Sequence, residues 1–186
     1  MSAMNYAFTS GDSDLLIGSS AHHLEVVETE AATAKAGQLT TWDAVREFIF
    51  AGHARFTLRS LKTGMRYTYQ VKVKKQDLEA GKTGPDVTYF VALLRGPDNV
   101  SDYRYLGVLR KPGNFWTTSA STVKRDSASM IALVWMLDRL KVDRVGVLGA
   151  ALEVWHEGKC GRCGRALTVP ESVASGIGPV CDGRAA

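Results

Sequence analysis

Arg55-Phe56-Thr57-Leu58-Arg59 and Arg66-Tyr67-Thr68-Tyr69-Gln70-Val71-Lys72-Val73-Lys74 alternate strictly between apolar and polar side chains. This period of two is typical of half-buried β-strands, and the intervening Leu61-Lys62-Thr63-Gly64 supplies a turn containing glycine. The sequence therefore predicts an antiparallel hairpin over residues 55–74, which we call the basic hairpin. Its apolar face is expected to pack on a core. Its polar face presents cations suited to phosphate groups, namely Arg55, Arg59, Arg66, Lys72 and Lys74.

A second hairpin is predicted farther along the chain, from residues 87–94 and 103–109. The connection over residues 96–102 is rich in turn formers, and the strands are apolar enough to lie centrally in a sheet. Lys111-Pro112-Gly113-Asn114 then leads to a candidate fifth strand over residues 115–118. The pattern indicates a small antiparallel sheet, with an OB-like barrel as an alternative closure.

Two helices are predicted beside these strands. The first begins near Thr41, with Thr40 as the expected cap, ends before Gly52, and repeats apolar residues at helical spacing, namely Trp42, Val45, Phe48 and Ile49. The second begins after a cap at Asp126 or Ser127. We expect it to be largely buried because its apolar face is broad, comprising Met130, Ile131, Leu133, Val134, Trp135, Leu137 and Leu140.

All three cysteines lie near the C-terminus, in His156-Glu157-Gly158-Lys159-Cys160-Gly161-Arg162-Cys163-Gly164-Arg165 and at Cys181. A Cys-x-x-Cys pair with glycine after each cysteine turns tightly, so that two sulfurs can grip one edge of a tetrahedral ion. The nearest histidine in sequence is His156, and the other histidines lie much farther away. We therefore predict one structural Zn²⁺ bound by His156, Cys160, Cys163 and Cys181.

Other uses of these cysteines fit less well. An iron–sulfur centre usually takes four cysteines, and an odd number of cysteines does not indicate a disulfide framework. Between the cysteines, Thr168 and Glu171 form a candidate capping box for a short helix ending at Gly176. This unit is too small to bury its own core, so the metal is expected to stabilise it.

The string Cys-Gly-Arg-Cys-Gly-Arg-x-Leu-Thr-x-Pro-Glu-Ser, followed by Gly-Ile-Gly-Pro-x-Cys, resembles a small zinc module of uncharacterised bacteriophage and mobile-element proteins. In phages and mobile elements this module is often appended to proteins that handle nucleic acids. The resemblance spans residues 156–181. It implies a phage-like context and metal binding through His156 and the three cysteines, and it brings no catalytic residues.

Charge is distributed unevenly along the 186 residues. Residues 1–50 carry two basic and seven acidic side chains, residues 51–149 carry seventeen basic and eight acidic ones, and residues 150–186 carry four of each. The middle of the chain is thus strongly basic, which favours a polyanionic partner. The alternative is that these charges only keep the surface soluble.

We predict three parts, namely an acidic, loosely structured arm (1–40), an α+β body with the basic hairpin (41–149) and a zinc-binding module (150–186).

The fold class predicted from these patterns is α+β. We expect a small antiparallel β-sheet of four to five strands packed on two helices, with a C-terminal zinc-knuckle module.

Further candidates for nucleic-acid contact are Phe115 and Trp116, beside a glycine-containing loop, and Arg162 and Arg165 in the knuckle. These two arginines either contact phosphate or offset the charge of the thiolates. Five tyrosines have two interpretations, as a base-stacking platform or as core residues: Tyr67, Tyr69, Tyr89, Tyr103 and Tyr105.

No catalytic constellation is found, because a phosphate-binding loop, a serine elbow and a metal-binding carboxylate pair are all missing from the sequence. The leading hypothesis is a non-enzymatic, phage-type protein that binds nucleic acid, with single-stranded DNA or RNA favoured. The alternative is a small inhibitor or adaptor that binds a host protein, such as a bacterial defence factor.

No apolar run is long enough to span a bilayer, so we expect a cytoplasmic protein, in the host cytoplasm if phage-encoded.

Overall fold

The computed structural model describes residues 36–142, 148 and 151–183. This part of the chain contains seven strands, which are β1 Gln38–Leu39, β2 His53–Ser60, β3 Arg66–Val73, β4 Tyr89–Leu94, β5 Tyr103–Arg110, β6 Asn114–Trp116 and β7 Leu152–His156. They form one sheet in the order β1-β7-β2-β3-β4-β5-β6, and every neighbouring pair is antiparallel. Since β1 and β6 are its two edges, the sheet is open and not the OB-like barrel.

Four α-helices in the described part of the chain accompany the sheet, namely α1 Trp42–Ile49, α2 Lys75–Glu79, α3 Ala128–Lys141 and α4 Pro170–Ser175. The predicted α+β class is confirmed, but the sheet has more strands than the four to five expected. One extra strand, β1, is only two residues long and leaves no alternating pattern. The other, β7, lies in the segment that the sequence assigned to the zinc module, and it pairs with β2 inside the sheet. The predicted arm, up to residue 35, lies outside the described residues.

The helix caps explain where α1 and α3 begin. Thr41, rather than the expected Thr40, caps α1, because its backbone is extended and its Oγ1 accepts a hydrogen bond of 3.2 Å from the Ala44 N–H. Of the two candidates for α3, Ser127 is the cap, and its Oγ accepts from the Met130 N–H at 3.3 Å. In contrast, α4 lacks the predicted Thr168 and Glu171 capping box, since Val169 is its cap residue and makes no side-chain cap bond.

The basic hairpin forms as predicted, from the antiparallel strands β2 and β3. Arg55 pairs with Gln70, and Thr57 pairs with Thr68 through hydroxyl groups 2.8 Å apart. Paired residues of antiparallel strands point to the same side of the sheet. The apolar side chains therefore all face the helices, and the polar side chains face away from them, as the alternation predicted. We call the face turned away from α1 and α3 the open face.

The core lies between the sheet and the helices α1 and α3. Two tyrosines of the sheet enter it and donate hydrogen bonds to backbone carbonyls, Tyr69 to Ser129 at 2.6 Å and Tyr89 to Phe50 at 3.1 Å. Burial raises the pKa of both phenols, so they stay neutral donors. Neither is accessible to a nucleic-acid base, and for Tyr69 and Tyr89 the core interpretation is the correct one.

The outer side of α3 differs from the expectation of a largely buried helix. Ile131, Val134 and Trp135 are 58%, 38% and 37% exposed, whereas Leu133, Met136, Leu137 and Leu140 are buried. The wide apolar face therefore extends beyond the surface that the sheet covers. No described helix is long and apolar enough to cross a membrane.

Phe48 joins α1 to the cysteine segment. A Cβ atom on Gly161 would lie 2.8 Å from the Phe48 ring, and one on Gly176 would lie 2.4 Å from it. Gly176 also has a φ of 75°, the left-handed conformation that ends α4. Only glycine allows the ring to approach both loops this closely. The segment around the cysteines is thus packed against the body through one fully buried side chain.

Replacing Phe48 with alanine should lower the free energy of unfolding by about 3–5 kcal/mol, because it opens a cavity between α1 and the cysteine segment. Urea denaturation followed by circular dichroism measures the change. Leu78→Ala is the control, because Leu78 is 55% exposed and its loss should cost no more than about 0.5 kcal/mol. Similar losses in the two variants would contradict this packing.

Candidate functional site

Three of the four predicted metal ligands come together after β7. The sulfur atoms of Cys160, Cys163 and Cys181 all lie within 4.8 Å of one another, which is close enough for them to hold a metal ion. The arrangement is set by a short loop in which the Cys160 N–H donates to the Arg165 carbonyl at 2.8 Å and the Gly164 N–H donates to the Cys160 carbonyl at 2.9 Å. Gly164 adopts a φ of 74°, which this tight turn requires.

Backbone amides surround the first of these sulfurs. Burial by itself raises the pKa of the Cys160 thiol, but N–H groups of Gly178, Cys163 and Arg162 outweigh it and lower the pKa to about 7. The Gly178 nitrogen lies 3.4 Å from the sulfur. Hydrogen bonds of this kind stabilise a thiolate, the form that binds metal.

Cys181 has the opposite tendency when no metal is bound. Its hydrogen bond to the Cys163 side chain, together with burial and the proximity of Cys160, raises the pKa of its thiol to about 11. At neutral pH it therefore carries its proton. A metal ion that binds the cluster must displace that proton, so metal affinity is expected to rise with pH.

The fourth predicted ligand, His156, lies apart from the sulfurs, and the group of described residues that could hold a metal leaves it out. It is the last residue of β7 and pairs with Phe56, so its ring points to the buried side and packs 5.3 Å from the Phe48 ring centre. The Gly158 N–H donates to Nδ1 at 3.1 Å, and Nε2 lies 2.7 Å from the Val173 carbonyl oxygen. Both ring nitrogens are thus occupied by backbone groups.

Burial lowers the pKa of His156 and so favours the neutral ring. The hydrogen bond to Val173 acts in the opposite direction and is outweighed. With Nδ1 accepting, the proton sits on Nε2 and is donated to Val173. His156 therefore ties β7 to α4, and its ring nitrogens contact backbone groups of Val173 and Gly158. The alternation of Leu152, Val154 and His156 was the sequence signal for this inward orientation.

The two knuckle arginines have different surroundings. The Arg162 guanidinium donates to the Cys181 carbonyl, so it links the two ends of the cysteine segment. Arg165 lines a cavity of about 320 Å³ next to the sulfurs. The cavity walls are formed by all three cysteines and by apolar residues that include Leu167 and Pro179. Arg162 therefore has a structural role within the segment.

The donor set fits a soft metal ion. Three thiolates suit Zn²⁺, Cu(I) or iron–sulfur chemistry, and they do not suit Mg²⁺ or Ca²⁺, which take oxygen ligands. A bound divalent ion would be held by Cys160, Cys163 and Cys181. A metal bound there would crosslink the loop at residues 160–165 to the chain after α4.

A second candidate site lies on the open face. Four of the predicted phosphate-binding cations are on this face, where Arg66 and Lys72 are exposed. Arg55 contacts Glu157 at 3.4 Å and Arg59 contacts Glu153 at 3.1 Å. The carboxylates offset part of the positive charge. The fifth predicted cation, Lys74, lies beyond the end of β3, at the start of α2.

Aromatic side chains share the open face with these cations, and we call them the aromatic platform: Phe90, Tyr103, Tyr105, Trp116 and Trp155. Phe90 pairs with Val108, and Val108 pairs with Trp116, so the side chains of Phe90 and Trp116 lie on the same side of the sheet. Phe90 is 40% exposed and Trp116 is 42% exposed. The rings of Phe90 and Tyr105 lie 6.2 Å apart in an edge-on arrangement.

Two arginines lie over platform rings. Arg55 is 5.9 Å from the centre of the Tyr103 ring, and Arg110 is 5.7 Å from the centre of the Trp116 ring. Trp116 was predicted as a contact, but Phe115 points to the other side of β6 and packs against the core. The sequence did not single out Phe90 or Trp155, because β4 is apolar on both sides and β7 was not recognised as part of the sheet.

Comparison with known protein families matches residues 150–186 to DUF6011, a family of unknown function. The match covers the cysteine segment and β7, and it leaves the rest of the sheet and α1 to α3 unmatched. A comparison with curated proteins and one with solved structures each found no match.

Metal binding should depend on the sulfurs and not on the imidazole. Cys163→Ser is expected to lose the bound zinc, whereas His156→Gln should keep one zinc per chain, since His156 is bound to backbone groups. Native mass spectrometry of protein refolded with Zn²⁺ measures the stoichiometry. Loss of zinc from His156→Gln, with Cys163→Ser still loaded, would contradict the arrangement.

Proposed function

We propose that this protein is a non-enzymatic, phage-type nucleic-acid-binding protein that takes single-stranded DNA or RNA on the open face. The observation that carries the proposal is the combination of exposed aromatic rings with cations on one side of one sheet. Single-strand binders commonly use this combination, because bases stack on aromatic rings while cations follow the phosphates. In this proposal the protein acts in the cytoplasm of the host.

The arrangement of charges supports stacking as the main source of affinity. Arg55 and Arg59 each contact a carboxylate, so their attraction for phosphate is reduced. Arg66 and Lys72 are the exposed cations of the same face, and they lie on β3, the strand next to the one that carries Phe90. Phosphate contacts by these two residues would orient the strand, and the rings at Phe90 and Trp116 would bind its bases.

The cysteine segment has a supporting role in the proposal. One Zn²⁺ bound by the three cysteines stabilises the segment after β7, and β7 is the neighbour of β2 in the sheet. Zinc removal would therefore loosen the edge of the open face that carries Trp155. A phage or mobile-element origin is part of the proposal and rests on the resemblance of residues 156–181 alone.

Trp116 and Trp135 form a matched pair for testing the platform. Both are about equally exposed, and each lies beneath an arginine, but Trp135 is on α3, away from the open face. Trp116→Ala should weaken binding of a short single-stranded oligonucleotide about five- to a hundredfold, the range for loss of one stacked base. Trp135→Ala should leave it unchanged. Fluorescence anisotropy measures both, and equal effects would contradict the platform.

Phosphate contacts predict a specific salt dependence. Replacing Lys72 with glutamine should weaken binding and reduce the slope of log K against log salt by about 0.7, the value for one phosphate contact to a single strand. Lys75→Gln is the control, because Lys75 is exposed on α2 and pairs with Glu79 at 3.5 Å. Binding that does not change with salt concentration would rule out a phosphate-based interface.

The second candidate function is binding to a host protein, as an inhibitor or adaptor. It is favoured by the exposed side of α3, where Ile131, Val134 and Trp135 form an apolar surface at helical spacing. The tryptophan pair separates the two functions. A host protein that binds the wild type and Trp116→Ala, but not Trp135→Ala, would establish the second candidate. Capture that is independent of Trp135 would argue against it.

A further inference from the structure

A cavity of about 610 Å³ lies near the end of the second hairpin, between the hairpin and the start of α3. Three separate segments contribute its lining, which consists of Arg95, Arg104, Thr122, Val123, Lys124 and Ser127. Arg104 pairs with the buried Leu93 across β4 and β5, so it leaves the sheet on the side of the helices. The cavity is therefore separate from the open face and from the cysteine segment.

The lining carries three positive charges that have no carboxylate partner within the described part of the chain. Among the described residues, no ion pair joins Arg95, Arg104 or Lys124 to an acidic side chain. The acidic residues of the adjoining loop are held by the loop itself: Asp102 accepts from the Asp98 N–H at 2.9 Å, and Asp98 accepts from the Val100 N–H at 2.8 Å. Like charges brought together repel each other, and a bound anion removes this repulsion.

The other groups in the lining are suited to the same anion. Hydroxyl groups of Thr122 and Ser127 can donate hydrogen bonds to oxygen atoms between the cations. Arginine is the side chain best matched to phosphate oxygens, because its planar guanidinium donates two parallel hydrogen bonds. The volume is within the range of pockets that bind small ligands.

We propose that this cavity is a binding site for a phosphate group, with Arg104 and Lys124 as its principal contacts. The proposal does not depend on nucleic-acid binding by the open face. The phosphate belongs either to a free phosphorylated compound or to a nucleic-acid strand, and the chemistry that recognises it is the same in both cases.

The first experiment uses inorganic pyrophosphate as the probe. Isothermal titration calorimetry at low salt should detect binding to the full-length protein, and Arg104→Gln and Lys124→Gln should each raise the Kd about ten- to a hundredfold. Lys75→Gln is the control, since it removes one exposed cation on α2, outside the cavity and the open face, and should change the Kd by less than about twofold. Equal weakening by all three variants, or no binding by the wild type, would overturn the proposal.

A second experiment distinguishes the sources of the phosphate. A 5′-phosphorylated oligonucleotide and its 5′-hydroxyl counterpart are each titrated against the wild type and Arg104→Gln. If the variant weakens binding of the phosphorylated strand alone, the site takes a terminal phosphate. If it weakens both strands equally, the site takes the backbone, and if pyrophosphate alone is affected, the site takes a free phosphorylated compound. If Arg104→Gln changes none of the three affinities, the cavity is not a phosphate site.

Trp116→Ala should leave pyrophosphate binding unchanged, so failure of the open-face proposal can be told apart from failure of this one.

Discussion

The pairing of β7 with β2 is the constraint on which both candidate sites depend. It inserts a strand from late in the chain between β1 and β2, and so it fixes the position of everything that follows. On one side of β7, His156 points inward to Phe48 and Val173, which anchors the cysteine segment beside α1. On the other side, Trp155 joins the open face. Because neighbouring residues of a strand point to opposite sides, one strand serves two sites.

The cysteine segment is stabilised in two physically different ways. Its packing on α1 requires Gly161 and Gly176, where the Phe48 ring occupies the space that a side chain would need. Its cluster of three thiols requires a metal to offset the cost of bringing sulfurs together as thiolates. The first interaction is present with or without metal, because it depends only on apolar contact. The segment is therefore held near the sheet before a metal binds, which reduces the entropy lost when the three sulfurs are ordered.

The sequence predicted those features that depend on local periodicity. The two faces of the basic hairpin and the end of α4 at Gly176 follow from alternation and from turn chemistry, and both are as expected. Features that depend on distant contacts were harder to predict. The alternation of Leu152, Val154 and His156 in β7 is short, and it gives no indication that this segment pairs with β2, far away in sequence. The ligand role given to His156 rested on its proximity in sequence, whereas its pairing with Phe56 determines where the ring points.

The same limit explains the aromatic residues. In β3 the polar positions reveal which tyrosines face the core, since Tyr69 alternates with Thr68 and Gln70. In β4 the residues around Phe90 are all apolar, so alternation gives no direction, and only the pairing with Val108 shows that Phe90 is on the open face. An exposed phenylalanine in a central strand loses the free energy that burial would provide, about 1.5–3 kcal/mol. A stacked base would cover this ring, and the cations at Arg66 and Lys72 would attract the strand that carries the base.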